Sequence, residues 1–176
     1  MDQDRPQSEY SENVIAIDRV ARVVAGGRRF RFRALVVVGN SKGRLGVGIA
    51  KGADVQLAVT KAVNEAKKNL IDIPIANETI PHEITAKVGG ASILIKPAAP
   101  GTGLIAGGTV RSVLEVSGIN NVLSKSLGSS NKVNVAYATI KALQSIVPKE
   151  EWTTTLNHKA KPASVKKAKV KAEAAK

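Results

Sequence analysis

The stretch Arg28-Arg29-Phe30-Arg31-Phe32-Arg33-Ala34 alternates charged and apolar residues with a period of two. Only an extended strand sends successive side chains to opposite faces, so Arg29, Arg31 and Arg33 share one face and Phe30, Phe32 and Ala34 the other. The run continues into Leu35-Val36-Val37-Val38. Phe30 to Val38 is therefore predicted as a strand with one face on a core and guanidinium groups on the other. Ahead of it, Val14 to Val24 is rich in β-branched residues, and Ala25-Gly26-Gly27-Arg28 offers a glycine pair able to take positive φ in a tight turn.

Further signals extend this hairpin into a unit. Gly39-Asn40-Ser41-Lys42-Gly43 is a turn cluster. Leu45 to Ala50 reads as a third strand, with Gly46 and Gly48 leaving one face bare. Asp54 is placed to N-cap a helix over Val55 to Leu70, with an apolar stripe at Val55, Val59, Ala62, Val63, Ala66 and Leu70. Turn and strand signals over Asp72 to Glu78 link to a second unit. There, His82–Val88 and Ala91–Lys96 form a hairpin about Gly89-Gly90, and Pro97 to Gly108 is a loop. Thr109–Ser117 is a helix capped by Gly118, Val122–Leu127 a strand, and Asn131–Ile146 a helix stopped by Pro148. Val133, Ala136, Tyr137, Ile140 and Leu143 lie on one side of that last helix. The expectation is an α+β chain of two small sandwich units, βββα over 14–71 and α/β over 72–147. A disordered leader (1–13) and a disordered basic tail (148–176) flank them.

Charge narrows the partner. The chain carries 27 Lys plus Arg against 14 Asp plus Glu, a formal net charge of +13. Such an excess repels itself unless a polyanion neutralises it: nucleic acid first, an anionic membrane surface second. Arg19, Arg22, Arg28, Arg29, Arg31, Arg33, Lys42, Arg44 and Lys51 cluster within one stretch, and Asp18 is the only acid beside them. The preponderance of Arg favours ordered, bidentate phosphate contacts over diffuse attraction. Lys61, Lys67 and Lys68 lie off the apolar stripe of the first helix and extend the candidate set. From Lys159 onward the tail holds seven Lys and little that is bulky.

The same residues argue against other chemistries. Gly39–Gly48 (GNSKGRLGVG) lacks the GK[ST] ending of a phosphate loop, so its glycines read as places where RNA approaches the backbone. Gly101-Thr102-Gly103-Leu104-Ile105-Ala106 fits GxGxxA, but a dinucleotide site also wants an acid about 20 positions on, and none stands between Gly118 and Asn134. With no cysteine, and His82 and His158 far apart, there is no metal set and no disulfide framework. Nothing resembles a nucleophile elbow, and Trp152 reads as a packing anchor. No run approaches the ~18 apolar residues of a membrane span, and no secretory leader begins the chain. The expectation is an intracellular, cytoplasmic, non-catalytic protein without a cofactor.

Long stretches carry a family resemblance in the right order. RVARVVAGGRRFRFRALVVVGNSKGRLGVGIAKG (Arg19 to Gly52), TIPHEI (Thr79 to Ile84) and KPAAPGTGLIAGGTVRSVLEVSGINNVLSKSLGSSN (Lys96 to Asn131) resemble the bacterial-type family of small-subunit ribosomal protein five. The resemblance implies an N-terminal domain like a double-stranded-RNA-binding domain. It also implies a second α/β domain with a left-handed βαβ crossover, against the usual right-handed rule. It implies small-subunit ribosomal RNA near the decoding region as partner, with the messenger RNA entry channel and small-subunit proteins four and eight as neighbours. Arg22, Gly26, Gly27 and Arg28 match the hairpin loop that reaches RNA beside the spectinomycin site. The segment of Gly101, Gly103 and Arg111 matches the surface facing protein four, where changes affect decoding accuracy. Two departures stand out. Lys132 occupies a position where the family often has Pro, and no helix pattern precedes Val14, where double-stranded-RNA-binding domains open with one.

Overall fold

The structure, a computed structural model, describes residues 10–75 and 78–147. Pro148, Trp152, His158 and the Lys-rich tail lie outside the described residues, as do residues 1–9 of the expected leader. The elements run β1 (Ser11–Val24), β2 (Gly27–Gly39), β3 (Arg44–Gly52), α1 (Val55–Lys68), β4 (Ile71–Asp72), β5 (Ile84–Val88), β6 (Ala91–Pro97), β7 (Leu104–Ile105), α2 (Gly108–Ser117), β8 (Val122–Gly128) and α3 (Lys132–Gln144). The order of types is the one expected, an α+β arrangement, with the small strands β4 and β7 added.

One antiparallel sheet has the order β1-β2-β3-β4 and the other β5-β6-β8-β7. β7 runs parallel to β8, and the chain between them passes through α2. This is the unit for which the resemblance implies left-handed sense. Strand β1 starts at Ser11, three residues earlier than expected, and a bulge at Ile15 shifts its register. Residues 11–13 thus belong to the sheet and not to a leader.

The first sheet is covered on both faces. Alternate residues Ala34, Val36 and Val38 of β2 pack with Ala58, Ala62, Val63 and Ala66 of α1. The helix sits very close, because β3 presents glycine beneath it. A Cβ on Gly46 would collide with the Ala66 carbonyl, and one on Gly48 with the Ala62 carbonyl. The bare face of β3 is thus a bed for a small-residue helix stripe. That stripe centres on Ala58, which the sequence pattern leaves out, while Val55 stands at the solvent edge and Leu70 falls beyond the helix. Asp54 occupies the N-cap position, but its side chain makes no capping hydrogen bond.

The opposite face, carrying Leu35, Val37, Leu45 and Val47, joins one core with Ile93, Ile95, Val113, Leu114, Ala136 and Leu143 of the second unit. Helices α2 and α3 fill the space between the two sheets. Each fully buried aliphatic here contributes roughly 2 kcal/mol by transfer from water. The register of α3 differs from the expected one. Val135, Ala136, Ala138, Thr139, Ala142 and Leu143 face inward, while Tyr137 is 37% exposed. Asn131 caps this helix by accepting from the Val133 N–H at 3.2 Å, so an N-cap bond fixes the helix start around Lys132.

Candidate nucleic-acid interface

Beyond Arg33 the β1–β2 hairpin runs past the core as a two-stranded ribbon. Residues 25–31 are all exposed, and Val23 at the tip is 75% exposed. The pairing decides which side chains meet, because residues directly opposite each other share a face. Asp18 faces Arg33, Val20 faces Arg31, and Arg22 faces Arg29. Arg33 in turn faces Lys51 of β3. One face of the ribbon therefore gathers Arg22, Arg29, Arg31, Arg33 and Lys51. A groove of about 360 Å³ opens there, lined by Val20, Ala21, Arg22, Val24, Arg29, Arg31 and Lys51.

Electrostatics divides this set. Arg33 is held by Asp18 at 2.7 Å. Arg22, Arg29, Arg31 and Lys51 have no carboxylate partner among the described residues. Arg22 directly opposite Arg29 is a like-charge cross-strand pair, which costs the free protein roughly 0.2–1 kcal/mol. Nothing among the described residues offsets that cost, whereas a phosphate between the two guanidinium groups would.

The reverse face of the ribbon differs from expectation. Phe30 is not packed on a core but is 48% exposed, with the Arg19 guanidinium 3.7 Å from its ring centroid. The hairpin has left the core before this point, so only Phe32 reaches the apolar cluster beneath α1. Arg28 also belongs to this face, opposite Val23. At the turn, Gly27 has φ of 132°, while Gly26 needs no positive φ, so one glycine and not two is conformationally required.

Other expected binding residues lie elsewhere. Lys42 and Arg44 sit at the far end of β2, roughly 35 Å along the strand from Arg28. The backbone N–H groups of that turn, from Asn40 to Arg44, are all engaged. Asn40 Oδ1 accepts from the N–H groups of Lys42 and Arg44. Ser41 and Gly43 donate to the Val116 and Ser117 carbonyls, and Asn40 donates to the Arg44 carbonyl. The close approach that the glycines permit is thus taken by the end of α2 at Gly39 and by the Ile73 carbonyl at Gly43, not left open for RNA. Arg44 is paired with Asp72 at 2.8 Å. That hydrogen bond, with a further one that Arg44 donates to the Tyr10 oxygen, raises the Arg44 guanidinium above its ordinary value. The same bond lowers the Asp72 carboxyl. Lys67 is paired with Glu12 at 3.0 Å. Lys61, Lys67 and Lys68 belong to α1, on the side of the sheet away from the groove.

The glycine loop after β6 also has a structural account. Gly101 and Gly103 both take positive φ. Both donate their N–H to Asn121 Oδ1, at 3.0 and 3.2 Å. The position about 20 on, where a dinucleotide site would keep an acid, holds a buried asparagine that ties the loop down. The amides that would meet a pyrophosphate are consumed. Arg111 reaches the Leu104 carbonyl at 3.3 Å and lies beside this loop. Sequence reasoning missed Asn121 and β7; a Gly-x-Gly turn whose N–H groups need an acceptor was the available signal. His82 accepts from the Val147 N–H through Nε2 at 3.1 Å, and its Nδ1 lies 3.0 Å from the Glu83 carbonyl. Among the described residues no group of His, Asp and Glu could hold a metal, and no helix is long and apolar enough to cross a membrane.

A cation-faced ribbon projecting from a packed α+β body is the form of a structural nucleic-acid-binding protein. The model of the ribosomal protein S5 N-terminal domain matches residues 10–74. That of the ribosomal protein S5 C-terminal domain matches residues 86–154. The small ribosomal subunit protein uS5 of Thermus thermophilus is 50% identical over 146 residues, covering 83% of this chain and 90% of the relative. Its counterparts in two named strains of the same species match equally well. The chain belongs to the ribosomal protein S5 family, non-catalytic structural components of the small ribosomal subunit that associate with its RNA in the cytoplasmic ribosome.

Proposed function

We propose that the ribbon clamps small-subunit ribosomal RNA near the decoding region and the messenger RNA entry channel, supporting assembly and translational accuracy. The observation that carries this reading is the groove face of Arg22, Arg29, Arg31 and Lys51, cations without carboxylate partners among the described residues on a rigid two-stranded support. Neutralising phosphates there releases counterions, so binding weakens steeply with salt, by a log–log slope of about 0.9 per phosphate on duplex. Arg19 and Arg28 serve the other face of the same ribbon. Lys42, Arg44, Lys61, Lys67 and Lys68 form a secondary set, of which Arg44 and Lys67 would first have to leave a carboxylate. We read the chain as two units, 11–71 and 72–147, with the tail from 148 onward adding diffuse attraction. The exposed loop of Gly101 and Gly103, with Arg111 beside it, is read as the surface toward small-subunit protein four. Small-subunit protein eight is the second protein neighbour.

Chemical probing of small subunits assembled with variant protein tests the placement of the ribbon tip. Gly27→Val forces a β-branched residue into positive φ and should strip protections in the decoding region, while Gly26→Val, which meets open space, should keep them. Unchanged protections with Gly27→Val would rule the placement out.

A further inference from the structure

A second opening lies where the two units meet. It is a cleft of about 730 Å³ lined by Val47, Lys68, Asn69, Leu70, Ile71, Val88, Tyr137, Ile140, Lys141 and Gln144. That volume falls within the ~300–1,000 Å³ of small-ligand sites. Its chemistry is layered. The aliphatic side chains make an apolar floor. The sequence pattern puts Tyr137 in the core, but it turns out of the buried face of α3 and stands 37% exposed at this cleft. Lys68 and Lys141 flank it without a carboxylate partner among the described residues, and no acid lines it. Gln144 brings a side-chain amide that has no partner among the described residues. Asn69 binds Glu65 through its amide nitrogen, which leaves its carbonyl oxygen open.

We propose that this cleft seats a single unstacked nucleotide of RNA. The base stacks on the Tyr137 ring over the aliphatic floor. The amides of Asn69 and Gln144 meet its polar edge, and Lys68 and Lys141 take the flanking phosphates. An apolar helix or strand of a protein partner, bringing no carboxylate, would cover the floor but would leave the two ammonium groups without an anion. A nucleotide answers both. The site rests on the reading of this chain as an RNA binder, yet it uses none of the ribbon residues. Because its walls come from β3, β4 and α1 on one side and β5 and α3 on the other, the same nucleotide would bridge both units.

The test uses the full chain and small-subunit ribosomal RNA in filter-binding titrations at several salt concentrations, with chemical probing of base edges. Tyr137→Ala should weaken binding about tenfold, the scale of one lost base–aromatic stack, and leave the salt slope unchanged. It should also expose one base to modification. Tyr137→Phe keeps the ring and should bind as the original. Lys68→Ala with Lys141→Ala, at exposed positions where folding is not at stake, should lower the slope by about two. The proposal is overturned if Tyr137→Ala binds and protects as the original chain does, or if the double lysine variant keeps the full slope. Arg29→Glu with Arg31→Glu, run alongside, separates the two readings. If that variant binds normally while Tyr137→Ala does not, the ribbon reading fails and the cleft stands. The reverse pattern sinks the cleft alone.

Discussion

Strands β1 and β2 are one hairpin with two halves, and the halves obey different rules. In the basal half, Ala34 to Val38 of β2 are at most 2% exposed, sandwiched between α1 on one face and the second unit on the other. In the distal half, Gly27 to Arg31 touch no core, and an arginine stands directly opposite another arginine. Both halves belong to the same antiparallel ladder. What changes is what covers them: protein for the first, and on the present account RNA for the second. The sheet is therefore anchored by burial at one end and carries, at the other, charge without a carboxylate partner among the described residues.

Substitutions should part the halves cleanly. The largest effect belongs to the base. Leu35→Ala removes a side chain that is 2% exposed in the core shared by both units, and should cost about 4 kcal/mol in urea unfolding. The salt slope of RNA binding should stay as it was for whatever fraction remains folded. Next comes the ribbon. Arg29→Glu with Arg31→Glu should cost about 3 kcal/mol of RNA affinity, from two charge-assisted contacts at roughly 1.5 kcal/mol each, with no loss in thermal stability. A fall in melting temperature comparable to that of Leu35→Ala would mean that the ribbon is part of the core after all.

The sharpest contrast is smaller. Arg22→Ala removes the like-charge pair with Arg29, so it should stabilise the free protein by about 0.5 kcal/mol while weakening RNA binding. Opposite signs in melting and filter-binding experiments are the signature of a residue kept for its partner. The smallest effect is at the paired cations. Asp72 titrates below its ordinary value because Arg44 hydrogen-bonds its charged form. Its contribution is therefore fully present above the unfolded carboxylate value of about 3.9 and fades as pH drops through the lower folded value. An NMR titration of the Asp72 carboxyl should show a depressed midpoint that rises in Arg44→Gln.

The split is only half legible in the sequence. Period-two alternation identifies the strand and puts Arg29, Arg31 and Arg33 together, because side-chain direction in a strand is local. It cannot say where the core ends along that strand, so it gives Phe30 a buried face that the protein does not provide. Nor can it assign pairing partners: Asp18 to Arg33, Asp72 to Arg44 and Glu12 to Lys67 are contacts across strands or between elements, invisible to local pattern. The glycines signal close approach, but what approaches Gly46 and Gly48 is a helix of the same chain. In α3 the apolar spacing fits two overlapping stripes, and only packing between the two sheets selects the one through Ala138 and Ala142. Tyr137 is thereby released to the cleft.

Rigid charge, not loose charge, is what the account stands on. The most direct measurement is the salt dependence of binding to small-subunit ribosomal RNA for three proteins: the full chain, its Arg29→Glu/Arg31→Glu variant, and a chain shortened by residues 159–176. The ribbon variant should lose about two from the slope, and the shortened chain should keep most of its affinity. A ribbon variant with an undiminished slope, beside a shortened chain that no longer binds, would contradict it.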